Sequence, residues 1–597
     1  MMGQSYRRFT LAYLMILGAA AAGGLALIRW HLHLKSGATG SAQVAPTAAA
    51  SPSSAVSVKD FGAKGDGVTD DAAAIQAAVD SLPASGGTVF VPAGDYRVST
   101  SVVLGRDNIS LVGQGASSVL RSLPSETLFP VILLPDSPVK NVTISNLVAD
   151  GNHNPISGQC GIWIQQGSYV TISGVIVRNI SGDGIQVANG SNPNDHVTIK
   201  NCQVAGIHRN GIHIGDATNT TIEDNYITDT PSQYWGGAAG CGIDVEVEGY
   251  NAKGTNPYGD SSSTIPFVDT LLIKDNVIER QDTTTSSAGV ALQPAYGPVS
   301  NVTITGNLFS NHQSAVLGGG HDPYYGTTPA LDHVMITNNW VDTPSMGVAG
   351  IGFYFNLGAT DLTITNNVVH DQIGNFYNGV CLSDVVNATV SGNTFMKDRN
   401  GYFISIAVLG ASNNVTLSKN LWQDSLDPVT PYSYLQVDPT VTNLTDDGGT
   451  PIDPSAVDKT PPAVSLGIAS GTVISSPTPI TVKASDAGSG VARVYFFVDG
   501  LPEGFSDTGP YVFTFDPSLY AAGPHVLEAL AVDRFANPST ASRVSIQVYV
   551  LGIGAVGPAG AYFRCRRSSR WPTAPTPFGR GPAPAPAPAT SAVPARP

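Results

Sequence analysis

Between Asn141 and Asn420 the chain repeats one short phrase: an aliphatic or β-branched residue, usually Thr, another aliphatic, then a polar pair ending in Asn or Gly. Instances run from Val142-Thr143-Ile144, Val170-Thr171-Ile172 and Val197-Thr198-Ile199 to Val415-Thr416-Leu417, and their third residues lie 28, 27, 23, 51, 31, 32, 28, 26 and 27 apart. A period of this size, with no helical pattern between the runs, predicts a β-solenoid whose coils bury the alternate aliphatics. Asn suits the turn after each strand because it tolerates a left-handed backbone. A second strand per coil begins at Gly161-Ile162, Gly184-Ile185, Gly211-Ile212, Gly242-Ile243 and Gly289-Val290. Its variable residues are expected to point outward as one exposed ladder.

Composition agrees with such a chain. Charged residues make up 13% of the 597, while Gly reaches 65 and Pro 42, which disfavours helical arrays. The net charge of −15 supplies no basic excess, so nucleic acid is excluded as a partner. Five widely spaced Cys without a CxxC pair indicate neither a disulfide framework nor a zinc ribbon.

The entry to the array reads Asp60-Phe61-Gly62-Ala63-Lys64-Gly65-Asp66-Gly67-Val68-Thr69-Asp70-Asp71, then Ala74-Ile75-Gln76-Ala77-Ala78-Val79, then Gly86-Gly87-Thr88-Val89-Phe90-Val91-Pro92-Ala93-Gly94-Asp95-Tyr96. Thr69 is expected to cap a helix running to Leu82, with Asp70 and Asp71 in its first turn, and the helix to cover the open end of the solenoid. This run resembles the N-terminal signature of the pectate-lyase-like superfamily, whose members are polygalacturonase-like, rhamnogalacturonase-like or epimerase-like. The resemblance covers about residues 57 to 440 and implies an all-β, right-handed parallel β-helix that handles polysaccharide in a surface groove.

Other segments flank the array. Arg7 and Arg8 precede the uncharged stretch Phe9 to Ile28, long enough to cross a bilayer, so 1–36 is expected to be a signal anchor or signal peptide that places the rest outside the cytoplasm. Residues 37–56 read as a flexible linker, 57–450 as the β-helix and 451–462 as a Pro-rich linker. Short alternating strands in 463–550 look like a bacterial immunoglobulin-like sandwich without its disulfide, and 551–597 reads as a disordered Pro/Ala-rich tail.

Aligning the coils by their Gly-Ile starts places Trp163, Gln186, His213 and Asp244 in one column, with Asp183 and Asn210 immediately before the starting Gly of their coils, next to His208 and Arg209. Asp244, Glu246 and Glu248 alternate with Val245 and Val247 and so share the outer face, beside insertions bearing Tyr234, Trp235 and Tyr250, on which a sugar ring could stack. The expected catalytic set is Asp183, Arg209, His213, Asp244 and Glu246. Trp163, Gln186, His208 and the insertion aromatics are the expected substrate contacts.

Paired carboxylates suit acid/base hydrolysis of a glycosidic bond with no cofactor. The same cluster suits β-elimination or epimerisation of a uronate, with Arg209, His208 or His213 taking the proton and calcium held by acids including Glu248. Compared with polygalacturonase-like hydrolases, Gly182-Asp183-Gly184 carries one Asp of the expected pair, Arg209-Asn210-Gly211 stands where Gly-His-Gly would, and no Arg-Ile-Lys follows. His321-Asp322-Pro323-Tyr324 contains the residue types of the epimerase-like relatives in another order. Alternating acids also describe a plain solvated face, and a non-catalytic surface protein that grips glycan and projects the sandwich as a spacer fits the same layout.

Overall fold

The computed structural model describes residues 55–124, 130–152, 158–188, 192–228, 240–247, 267–280, 288–294, 297–310, 312–319, 331–343, 350–371, 376–397, 403–423, 433–452 and, with short breaks, 458–548. The N-terminal apolar stretch and the C-terminal tail lie outside these residues. Among those described, no helix is long and apolar enough to cross a membrane.

The strands of the repeated phrase stack in parallel into a fourteen-stranded sheet, the first of three that line the solenoid. Ile144, Ile172, Ile199, Ile222 and Ile273 pair coil to coil in one column and are fully buried. Ile222 sits directly beside Ile273, so the 51-residue interval is a single coil with an insertion.

Each coil holds three strands, where the sequence indicated two. The further sheet contains Val148–Asp150, Ile176–Ile180 and Gln203–Ile207. Only a two-residue turn separates these strands from the preceding ones, so that in sequence the two merge into one apolar run. The first turn residue is left-handed, as at Asn146, Asn201 and Asn338 (φ 52, 50 and 57). The second is often a buried Asn whose amide bonds the same residue of the next coil: Asn276 Nδ2 to Asn307 Oδ1 at 2.9 Å, Asn307 to Asn339 and Asn339 to Asn367 at 3.0 Å. An amide column of this kind satisfies polar groups that the turn would otherwise bury unpaired.

Near the N-terminus a helix, α1 (Ala72–Asp80), buries Ile75, Ala78 and Val79 in the solenoid core. It starts two residues later than expected, and Thr69 does not cap it. Asp66 captures Thr69 instead, accepting from its amide and hydroxyl at 2.8 Å, which keeps Asp66–Asp70 extended as a strand. Asp71 stands at the N-cap, yet its carboxylate accepts from the amides of Lys64 and Gly65 rather than from the helix.

The third sheet carries the residues of interest on β1 (Ile162–Ile164), β2 (Ile185–Val187), β3 (Ile212–Ile214), β4 (Ile243–Glu246) and β5 (Ala288–Gln293). Glycine precedes each of β1 to β4 because the coils close up there: a Cβ on Gly211 would lie 2.6 Å from the Gly242 carbonyl oxygen.

The described residues between 463 and 548 form a sandwich of a three-stranded and a five-stranded sheet. It does not project as a spacer. Its strand β6 (Val491–Val498) turns Val494, Phe496 and Val498 into the sandwich core, while Tyr495 and Phe497 pack on Val277, Leu308, Trp340 and Met396 of the solenoid. Arg493, almost fully buried, donates from Nη1 to the Gly306 carbonyl at 2.9 Å and lies over the Phe505 ring, 3.7 Å from its centroid. A strand buried on both faces reads as a continuous apolar run, Val-Tyr-Phe-Phe-Val, and this signal of docking was present in the sequence.

Candidate active site

The expected column exists. Trp163 pairs with Gln186, Gln186 with His213, His213 with Asp244, and Asp244 with Ala291 on five successive coils. It is not an exposed ladder, however: His213 is 0% and Asp244 3% exposed. Coils about 4.8 Å apart let each polar side chain reach protein groups of the neighbouring coils, and here they bond to those groups: Trp163 to Ala188, Gln186 to Cys160 and His213 to Asp244.

Asp244 is the hub. Its Oδ2 accepts from Asn210 Nδ2 at 2.8 Å and faces His213 Nδ1 at 3.4 Å, while Oδ1 accepts from Gln293 Nε2 at 2.8 Å. Asn210 in turn accepts from the Cys241 amide through Oδ1. Gln293 was missed in the sequence, although it holds the position of Glu246 in the following coil, where the two are register partners.

Beside the hub, Asp183 is 1% exposed and forms an ion pair with Arg209, Oδ2 to Nη1 at 3.2 Å. Asp183 also accepts from the Asn210 amide at 3.1 Å. Burial pushes its carboxyl up, with Asp244 adding to the rise, while His213, Arg209 and the Asn210 amide oppose it. The Arg209 side chain keeps 44% of its surface, so a buried acid pins a cation that faces solvent. His208, its neighbour in sequence, is half-buried, as is Glu246 beside His213 and Asp244.

Trp163 is half-buried, with its indole N–H on the Ala188 carbonyl at 3.0 Å, and Gln186 Oε1 lies 2.8 Å from Cys160 Sγ. Both therefore have structural partners. Tyr234, Trp235, Glu248, Tyr250 and the segment His321, Asp322 and Tyr324 lie outside the described residues. The described cysteines Cys160, Cys202, Cys241 and Cys381 are buried thiols outside any disulfide.

Donor atoms of His213, Asp244 and Glu246 fall within 4.8 Å of one another. Calcium takes six to eight oxygen ligands, roughly. An imidazole nitrogen, a Glu and an Asp whose two oxygens already accept hydrogen bonds do not make that shell. The close approach of Asp244 and Glu246 is also shorter than the gap of about 6.5 to 9.5 Å in which an inverting hydrolase holds its water.

Four family models match parts of the chain: "Rhamnogalacturonase A/epimerase, pectate lyase-like" over residues 55–125, "Right handed beta helix region" over 136–341, "Periplasmic copper-binding protein (NosD)" over 270–428 and "Bacterial Ig domain" over 468–529. Mannuronan C5-epimerase AlgE1 of Azotobacter vinelandii is 37% identical over 146 residues, 21% of this chain and 10% of that protein. Alginate lyase 7 of the same organism is 33% identical over 184 residues, 29% of this chain and 19% of that one. The matched part is thus under a fifth of either relative's length. Among solved structures, the AlgE6 A-module of A. vinelandii superposes with a TM-score of 0.49 at 21% identity, covering 67% of this chain and 99% of the module. The catalytic unit of a Streptomyces thermodiastaticus α-1,3-glucanase gives 0.48 at 17%, covering 69% and 70%. With the signature at its entry, the three stacked sheets and the docked sandwich, the chain is a pectate-lyase-like, right-handed parallel β-helix protein carrying a bacterial immunoglobulin-like domain.

Proposed function

We propose that the chain is an extracytoplasmic enzyme that modifies a uronate-containing polysaccharide at the Asp183–Arg209 and His213–Asp244–Glu246 cluster, by removing a carbon-bound proton next to the sugar carboxylate. The observation that carries this is Arg209, an exposed guanidinium held in place by the buried Asp183. A guanidinium in a fixed position binds a carboxylate and neutralises it, which is what makes the neighbouring C–H acidic enough to lose its proton. Glu246 and His208, both half-buried, are the groups within the cluster with surface left to meet a sugar, and one of them takes the proton. Asp244 is a positioning residue: its oxygens are occupied by Asn210, Gln293 and His213, and it holds the last of these in one orientation. The partial similarity to uronate-modifying enzymes supports the same reading. An extracytoplasmic placement is in keeping with the apolar segment Phe9 to Ile28 of the sequence.

Hydrolysis is the second reading, favoured by one observation: burial pushes the Asp183 carboxyl up, giving an acid able to hold a proton in the same cluster as the half-buried Glu246. Incubating polyuronates with the enzyme in heavy water separates the outcomes. Elimination leaves an unsaturated uronate, epimerisation leaves solvent deuterium on the sugar ring, and hydrolysis leaves new reducing ends with neither. Binding without any of the three would make the protein a glycan-binding surface module.

A further inference from the structure

We propose that a second binding site, on the outer face of the first sheet and separate from the cluster on the third, takes a neutral polysaccharide chain through its hydroxyl groups. That face carries an open trough of about 370 Å³, lined chiefly by His333, Asp361, Asn387, Thr363, Thr389 and Thr416.

The trough has two walls built by the repeat itself. His333, Asp361, Asn387 and Asn414 share a left-handed backbone (φ 52, 51, 57 and 59) at the same place in successive strands. A left-handed residue breaks the in-out alternation, so that Thr360 and Asp361 both leave the core side before Leu362 turns in. The wall is locked along its length: Asn387 Nδ2 donates to Asp361 Oδ1 at 3.0 Å, and Asn414 Nδ2 donates to Asn387 Oδ1 at 2.7 Å. Facing it, Thr363 pairs with Thr389 and Thr389 with Thr416 in register.

The hydroxyls of that rank are unspent. Those of Thr363, Thr389 and Thr416 bond to no described residue, whereas the next rank out is partly closed on itself, Thr365 to Thr337 at 3.2 Å and Ser418 to Ser391 at 3.0 Å. Each coil therefore offers one fixed amide or carboxylate and one unspent hydroxyl, every 4.8 Å or about that. An extended pyranose chain advances by nearly the same distance per sugar, so one ring can sit on each coil in the same way. The charge excludes a polyanion. Asp332, bonded to His333 Nδ1 at 2.6 Å, and Asp361 both lie against that one imidazole, so the wall carries two carboxylates to a single basic group and repels a polyanion. With no aromatic floor among the lining residues, affinity grows with the number of coils engaged and not from a single tight subsite.

The test is affinity electrophoresis of the full chain through gels containing a soluble mixed-linkage β-glucan, xylan, galactomannan or, as the anionic arm, a polyuronate, with Kd values from titration calorimetry. Retardation by at least one neutral polymer is expected. Thr389→Lys should weaken it by about tenfold or more, Asn387→Ala should weaken it less, and Thr171→Lys, on the same rank seven coils from Thr389, should leave it unchanged. Circular dichroism melting screens each variant, and should Thr389→Lys not fold, Asn387→Ala carries the test. No retardation by any neutral polymer, retardation by the polyuronate alone, or equal loss in Thr171→Lys and Thr389→Lys would overturn the proposal. Arg209→Ala should not alter retardation, so this site and the third-sheet site fail separately.

Discussion

Asn210 donates to Asp244 across adjacent coils, Nδ2 to Oδ2 at 2.8 Å, and the same carboxylate accepts from Gln293 two coils along the ladder from Asn210. A side-chain amide in place of the acid has one acceptor oxygen for these two donors. Asp244→Asn should therefore lower stability by about 1 to 3 kcal/mol as well as activity, and urea unfolding with turnover on the same samples checks both. Unchanged stability would mean that Asp244 is not the hub of this network.

Arg209 and Asp183 form a pair in which one member is buried and the other reaches solvent. If Arg209 carries the substrate carboxylate, Arg209→Ala should cut kcat/KM on a polyuronate by about a hundredfold or more and also lower the melting temperature, since the buried Asp183 loses its counter-charge. Arg209→Lys should recover part of that loss. Initial rates on defined oligouronates decide it.

Trp340 is buried where the solenoid meets Tyr495 and Phe497 of the sandwich. Removing a large buried aromatic costs about 3 to 5 kcal/mol. Trp340→Ala should release the sandwich, splitting one calorimetric transition into two and opening residues 451–462 to proteases. A single unchanged transition would show that the contact holds little of the docking energy.

The same docked sandwich brings acids into a poorly solvated place. Burial pushes Glu503 up to about 7, with Asp224 of the solenoid and Asp499 adding to it against a hydrogen bond from Tyr520. Burial likewise pushes Asp224 up to about 6, with Asp275 and Glu223 adding and Lys274 and Lys200 opposing. A raised carboxyl favours the neutral form in the folded state, so stability is full below the unfolded values near 4 and falls as pH rises through about 6 to 7. Glu503→Gln should flatten this profile and raise stability at pH 8 by roughly 1 to 2 kcal/mol, allowing for partial exposure. Melting temperatures across the pH range test it.

The solenoid was legible in the sequence because its cause is local and repeated: a β-branched outward residue between two aliphatics, followed by a left-handed turn, imposes the same coil each time. The column Ile144, Ile172, Ile199 could be written down from the spacing alone, as could the register of Trp163, Gln186, His213 and Asp244. What the spacing does not carry is where a polar side chain spends its hydrogen bonds. Only the stacking of coils showed that Asp244 is saturated by Asn210 and Gln293, that Asp183 holds Arg209, and that the hydroxyls of Thr363, Thr389 and Thr416 are left over. The sandwich's place on the solenoid also belongs to tertiary structure, since it depends on Arg493 meeting Gly306 across 187 residues of chain, a distance over which no local pattern constrains the outcome.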